Sequence, residues 1–122
     1  HLLRAAQEGI AFAFRYGVDI MRESGLRAGV IRAGHANLFL SPLFRSTLAT
    51  LCDANIELYN TDGALGAARG AALGAGLYRN RNEAFASLRR IEEVYPDPAI
   101  RQVLEETYQI WKKELQLQLE NQ

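Results

Sequence analysis

A helix-rich α/β fold is what these 122 residues predict, on three observations. Two short β-type runs, Ala28–Arg32 and Ile56–Tyr59, alternate with longer segments whose apolar residues recur every three or four positions. A tight turn and then a helix-start signal follow each run, Ser41-Pro42 after the first and Asp62-Gly63 after the second. Strand, helix, strand in that order makes the two strands a parallel pair.

Taken in order, residues 2–24 read as a long amphipathic helix. Leu3, Ala6, Ile10, Phe14, Gly17 and Met21 form its apolar stripe, and Gly25 is its expected C′ residue. Ser41 caps a second helix with Pro42 at N1, running to about Cys52, and Asp53-Ala54-Asn55 ends it. The turn Asn60–Gly63 leads into a third helix over 63–78, which Asp62 can cap. Gly66, Gly70 and Gly74 recur in it every four residues among alanines. Each glycine costs about 1 kcal/mol of helix propensity against alanine. Such a smooth face is therefore expected to be pressed against a sheet or a second helix. Asn82 is read as the cap of a short helix through about Arg90. Asp97-Pro98 opens the last helix, with Ile100, Leu104, Tyr108, Trp111, Leu115 and Leu119 as its stripe and a fraying tail over 114–122. No internal repeat is visible.

Composition narrows the function. The chain has room for one domain, 1–122, and is 48% apolar and 23% charged, ordinary for a globular protein. Its 14 basic and 14 acidic residues cancel, which argues against a nucleic-acid partner. No long uncharged apolar run suggests a membrane span or a leader, so the cytoplasm is the expected compartment. Cys52 is the single cysteine; among Leu48, Leu51 and Ala54 it reads as a buried, inert thiol. Two short strands cannot bury three helices, and the first helix opens at residue 2 with neither cap nor preceding strand. Both features lead us to expect a fragment whose remaining strands come from elsewhere.

The best site candidate is the turn Ala33–Ser41. Gly34 there can take positive φ and let a ligand approach the backbone. Ser41 begins a helix whose N–H groups could face an anion, and Asn37 offers the donor and acceptor that suit an adenine edge. An ordinary β–α loop would carry the same spacing, and neither a Walker A motif nor GxGxxG supports phosphate binding. His35, without a Cys or His at ligand spacing, reads as a rim residue and not as a zinc ligand. Tyr108 and Trp111 read as core. No pair of carboxylates marks a general acid and base.

Several stretches are familiar together and in order: Arg4-Ala5-x-x-Glu8-Gly9-Ile10-Ala11, Ile31-Arg32-x-Gly34, Ser41-Pro42-Leu43-Phe44-Arg45 and Gly63-Ala64-Leu65-Gly66-Ala67-Ala68. They resemble the C-terminal part of the FGGY carbohydrate kinases, closest to the xylulokinase branch. Ala36-Asn37-x-Phe39-Leu40 also resembles the corresponding loop of glycerol kinases. The resemblance implies a ribonuclease-H-like, actin-like ATPase fold, here incomplete, and phosphoryl transfer from ATP to a sugar or polyol. It makes Ala33, Gly34, His35 and Asn37 the nucleotide-binding candidates, with Ala33 and Gly34 against the α-phosphate and Asn37 against adenine. The family commonly has glycines where Ala33, His35 and Ala36 stand. Catalytic aspartate, sugar contacts and Mg2+ ligands are implied to lie in a missing N-terminal portion, which leaves this chain inactive alone. A homo-oligomer is expected. The competing expectation is a stand-alone, non-enzymatic α/β module in which the glycine helix and the last helix mediate assembly.

Overall fold

The computed structural model describes every residue from His1 to Gln122. Its elements are α1 (Leu2–Glu23), β1 (Val30–Gly34), a 3-10 turn (Asn37–Leu40), α2 (Pro42–Cys52) and β2 (Asn55–Tyr59). These are followed by α3 (Gly63–Gly74), α4 (Arg81–Ala84), β3 (Arg90–Val94) and α5 (Pro98–Glu120). The caps read from the sequence hold at four ends. Ser41 Oγ accepts the Phe44 N–H, Asp62 the Leu65 N–H and Asp97 the Ala99 N–H. At the end of α1, Gly25 takes φ +84°. Its N–H bonds Arg22 O while that of Leu26 bonds Met21 O, which is the Schellman arrangement.

The sheet is mixed, in the order β1-β2-β3. β1 and β2 are parallel as expected, with Val30 opposite Asn55 and Gly34 opposite Tyr59. That register also moves β1 two residues beyond the expected 28–32, because pairing with β2 continues to Gly34. β3 is a correction: the sequence pattern predicts a helix over 82–90 and no strand after it. The helix is a single turn capped by Asn80, and Arg90–Val94 pairs antiparallel with β2. The strand is hard to see because Glu92, exposed, takes the position opposite buried Leu58 where an apolar residue would complete the alternation. An ion pair with buried Arg45 (2.8 Å) compensates it there.

The core lies on one side of the sheet. Ile56 and Leu58 of β2, Phe44, Leu48 and Cys52 of α2, Ala11 and Phe12 of α1, and Leu104 and Tyr108 of α5 close it. Phe12, Tyr108 and Trp111 pack with ring centroids about 6 Å apart, so Tyr108 and Trp111 are core as expected. Cys52 is fully buried, and burial pushes its thiol up to about 11. The opposite face of the sheet is charged: Glu57 is gripped by Arg32 (2.8 Å) and Arg90 (3.0 Å). These guanidiniums hold its carboxyl below the usual carboxylate range, the hydrogen bond from Arg32 contributing most.

Two packing expectations and two helix ends differ from the sequence reading. The predicted stripe of α1 is the exposed one: Leu3, Ile10, Phe14 and Met21 all face outward, while Ala11, Phe12 and Val18 pack inward. The inward face carries charge for a reason. Arg15 sits between Asp19 (2.9 Å) and Glu105 (2.9 Å) and donates to Leu51 O, and Arg22 donates to Cys52 O. These arginines thus satisfy the last carbonyls of α2, whose negative helix end favours cations. The glycine helix is not pressed against anything: a Cβ on Gly66, Gly70 or Gly74 would meet no atom within 4 Å, and no α3 residue is buried. α3 also stops at Gly74, with Gly76 at φ +78°. The last helix, by contrast, continues through the supposed fraying tail to Glu120.

Candidate functional site

Parallel pairing of β1 and β2 brings their carboxyl ends together, and the turns that follow both strands meet there. The His35 N–H donates to Tyr59 O (2.9 Å), locking the first turn to the end of β2. Tight three-residue bends follow on both sides, Ala36 N–H to Gly34 O (2.9 Å) and Thr61 N–H to Tyr59 O (2.8 Å). Two adjoining cavities result, with Gly34 and Thr61 in the wall of each. One, about 450 Å3, is lined by Arg32, Ala33, Gly34, Tyr59, Thr61, Phe85 and Leu88. The other, about 370 Å3, lies among Phe14, Gly34, Ala36, Asn37, Phe39, Asp62 and Gly63. The crevice beyond the carboxyl ends of parallel strands is where open α/β sheets bind ligands.

Gly34 is needed here for a reason other than the expected one. Its φ is not positive. A Cβ would instead run into the Thr61 carbonyl oxygen, so glycine admits the neighbouring turn and not, by itself, a ligand. The left-handed residue is Asn37, at φ +53°, a conformation asparagine tolerates better than most residues. Of the four candidates, Ala33 and Gly34 line the first cavity, Gly34 and Asn37 the second, and His35 is exposed at the rim and lines neither. Of the start of α2, Phe44 lines the second cavity but Ser41 lines neither. Ser41 donates to Gln7 Oε1 (2.8 Å) on α1, and the 3-10 turn separates it from Gly34. The start of α3 borders the cavity through Asp62 and Gly63, and Asp62 already caps it.

Sequence reasoning missed Tyr59, Thr61, Phe85 and Leu88. The Asp62-Gly63 helix start could have pointed to Thr61, but Phe85 and Leu88 carry no local signal. Arg69 fixes this wall from α3, donating to Thr61 Oγ1 (2.8 Å) and Ser87 Oγ (3.3 Å). No three His, Cys, Asp or Glu side chains gather in a way that would hold a metal ion. No helix is long and apolar enough to cross a membrane.

No protein-family model matches the chain. Its fold superposes on xylulose kinase from Rhodospirillum rubrum with a TM-score of 0.70 and 28% identity, over 93% of this chain and 23% of that one. The chain therefore fits a C-terminal portion of a sugar kinase, and its fold is part of the actin-like ATPase fold. In sequence it is 32% identical over 114 residues to the L-xylulose/3-keto-L-gulonate kinase of Escherichia coli strain K12. That alignment takes in 89% of this chain but only 22% of the relative, so the chain spans about a fifth of the length of the kinase it matches.

Proposed function

We propose that this chain is the nucleotide-side portion of an ATP-dependent sugar kinase, one that transfers the γ-phosphate of ATP to a hydroxyl of a xylulose-like sugar. The observation that carries the reading is the double turn at the ends of β1 and β2, with two cavities sharing Gly34 and Thr61 as common wall. Its chemistry suits a nucleotide. Tyr59, Phe85 and Leu88 offer apolar surface to a base or ribose, Asn37 offers a paired donor and acceptor, and the Ala33–Gly34 backbone can lie against the α-phosphate. The Asp62 carboxylate at the start of α3 disfavours an anion on that side, which directs the phosphates toward residues 33–36.

Phosphoryl transfer is a matter of positioning and charge stabilisation around both substrates. In this reading the chain's residues bind and orient the nucleotide. The base that accepts the sugar proton and the ligands of the ATP-bound Mg2+ lie outside these 122 residues, and the chain alone is inactive. A titration with ATP followed by amide NMR tests the site. Gly34, His35 and Asn37 resonances should shift, and Asn37→Ala should weaken binding about 2- to 10-fold, the worth of one hydrogen bond. Shifts confined to other regions, or an unaltered affinity in the variant, would remove the turn from the nucleotide site.

A further inference from the structure

Arg32 is the one charged side chain that lines the cavity of about 450 Å3. Its Nε donates to Glu57 Oε1 (2.8 Å), which fixes the guanidinium over the charged face of the sheet. Neither Nη group makes a hydrogen bond within the chain, and 72% of the side chain is exposed. Glu57 is fully occupied elsewhere: Arg90 donates to its Oε2 (3.0 Å) and the Tyr59 hydroxyl to its Oε1 (3.3 Å). Arg90 also lies 3.5 Å from Glu93, and neither of these two carboxylates lines the cavity. A guanidinium tethered through Nε, with both Nη groups open, is a fork suited to bidentate contact with a phosphate.

The surroundings favour an anion here. Gly34, two residues further along β1, shares the face that Arg32 occupies, about 6–7 Å away. Arg69 stands behind the Thr61 wall with two hydroxyls as its hydrogen-bond partners, Thr61 Oγ1 and Ser87 Oγ. The chain is neutral as a whole, yet from Arg69 to Arg90 five arginines meet a single acid, Glu83. The second cavity, by contrast, has the Asp62 carboxylate in its wall.

We propose that the Nη groups of Arg32 hold the β-phosphate of the bound nucleotide, so that the site selects di- and triphosphates over the monophosphate. This rests on the nucleotide reading above, which sets the α-phosphate on the Ala33–Gly34 backbone. A second phosphate extended from Gly34 along the charged face of β1 comes within reach of the Arg32 fork. Glu57 is the positioning residue: it holds the guanidinium through Nε and leaves the fork open.

The test measures binding of AMP and ADP to the chain by calorimetry at about 0.15 M salt, where charges beyond about 8 Å are largely screened. ADP should bind at least about 10-fold more tightly than AMP, the worth of one charge-assisted contact. Arg32→Gln should bring the two affinities within about 2-fold while leaving that for AMP unchanged. Arg90→Gln removes an equal charge from outside the cavity and should keep the ratio. In the wild-type chain, the guanidinium nitrogen resonances of Arg32 should shift with ADP and not with AMP. An unaltered ratio in Arg32→Gln, an equal loss for both nucleotides, or the same collapse in Arg90→Gln overturns the proposal. If Arg32→Gln does not fold, the nitrogen resonances decide, and their failure to move with ADP overturns it. ATP-induced shifts at Gly34 and Asn37 with no preference for ADP would leave the nucleotide reading standing and remove Arg32 from it. Inorganic pyrophosphate that binds through Arg32 where no nucleotide binds would sink the nucleotide reading and leave Arg32 as a diphosphate site. A chain that binds neither overturns both.

Discussion

α2 and α3 each follow a parallel strand, each begin at a side-chain cap and differ in length by one residue, yet they live in opposite surroundings. Eight of the 11 residues of α2 are buried, and none of the 12 in α3 is. α2 is held on all sides by the sheet, α1 and α5, and even its last carbonyls are taken by Arg15 and Arg22 of α1. α3 is tied down by the Asp62 cap, by Arg69 and by its neighbour α4. The lesson is that helix-start chemistry specifies where a helix begins but not what it packs against. A pattern of small residues describes a permitted close approach, and the approach happens only where a neighbour exists.

The largest expected effect tests burial directly. Leu48→Ala in α2 should cost about 2–5 kcal/mol in urea unfolding, and Leu65→Ala in half-exposed α3 less than about 1 kcal/mol. Similar costs would mean that α3 is packed in solution. The glycines give a contrast of sign. Gly34→Ala must displace the Thr61 backbone and should destabilise by about 1–3 kcal/mol. Gly70→Ala meets open space within a helix and should stabilise by up to about 1 kcal/mol; a loss there would reveal a covered glycine face. Smaller still, Asp62→Ala should remove about 1 kcal/mol of capping, read as faster amide exchange confined to α3.

Acid should act on the α1–α2–α5 side. Burial alone would raise the carboxyls of Asp19 and Glu105. Hydrogen bonds and charge from Arg15, with the Tyr108 hydroxyl on Asp19 (2.8 Å), outweigh it and hold both below their ordinary values of 3.8 and 4.5. A depressed folded pKa gives stability that is full above the unfolded value and is lost as pH falls through the folded one. The urea midpoint should therefore fall below about pH 4, and Arg15→Met should flatten that dependence. An equally steep fall in the variant would place the acid-sensitive carboxylates elsewhere.

Much of the architecture was legible. Four of the five helices, the parallel pair and the caps at Ser41, Asp62 and Asp97 follow from residue types that act within a few positions of themselves. So does the Gly25 turn. The kinase resemblance, carried by ordered motifs, agrees with the comparisons. β3 escaped because Glu92, on the core-side face of the sheet, is balanced by Arg45, 47 residues away in sequence, and no local pattern encodes that pairing. At the candidate turn, positive φ and the close approach of a ligand were both expected of Gly34; the left-handed conformation belongs to Asn37, and what Gly34 admits is the Thr61 carbonyl.

What the sequence by itself determined is therefore local: where helices start and stop, that Cys52 is apolar in its surroundings, and that a turn rich in small residues follows the first strand. Tertiary structure decided which face of each helix is inside. α1 carries exposed apolar side chains on one face, and on the other sets Arg15, Asp19 and Arg22 among buried Ala11, Phe12 and Val18. The charged face turned inward because the open carbonyls of α2 and the carboxylate of Glu105 were there to receive Arg15 and Arg22. Burial of a charge is acceptable only with partners in place, and those partners lie 30 to 90 residues along the chain.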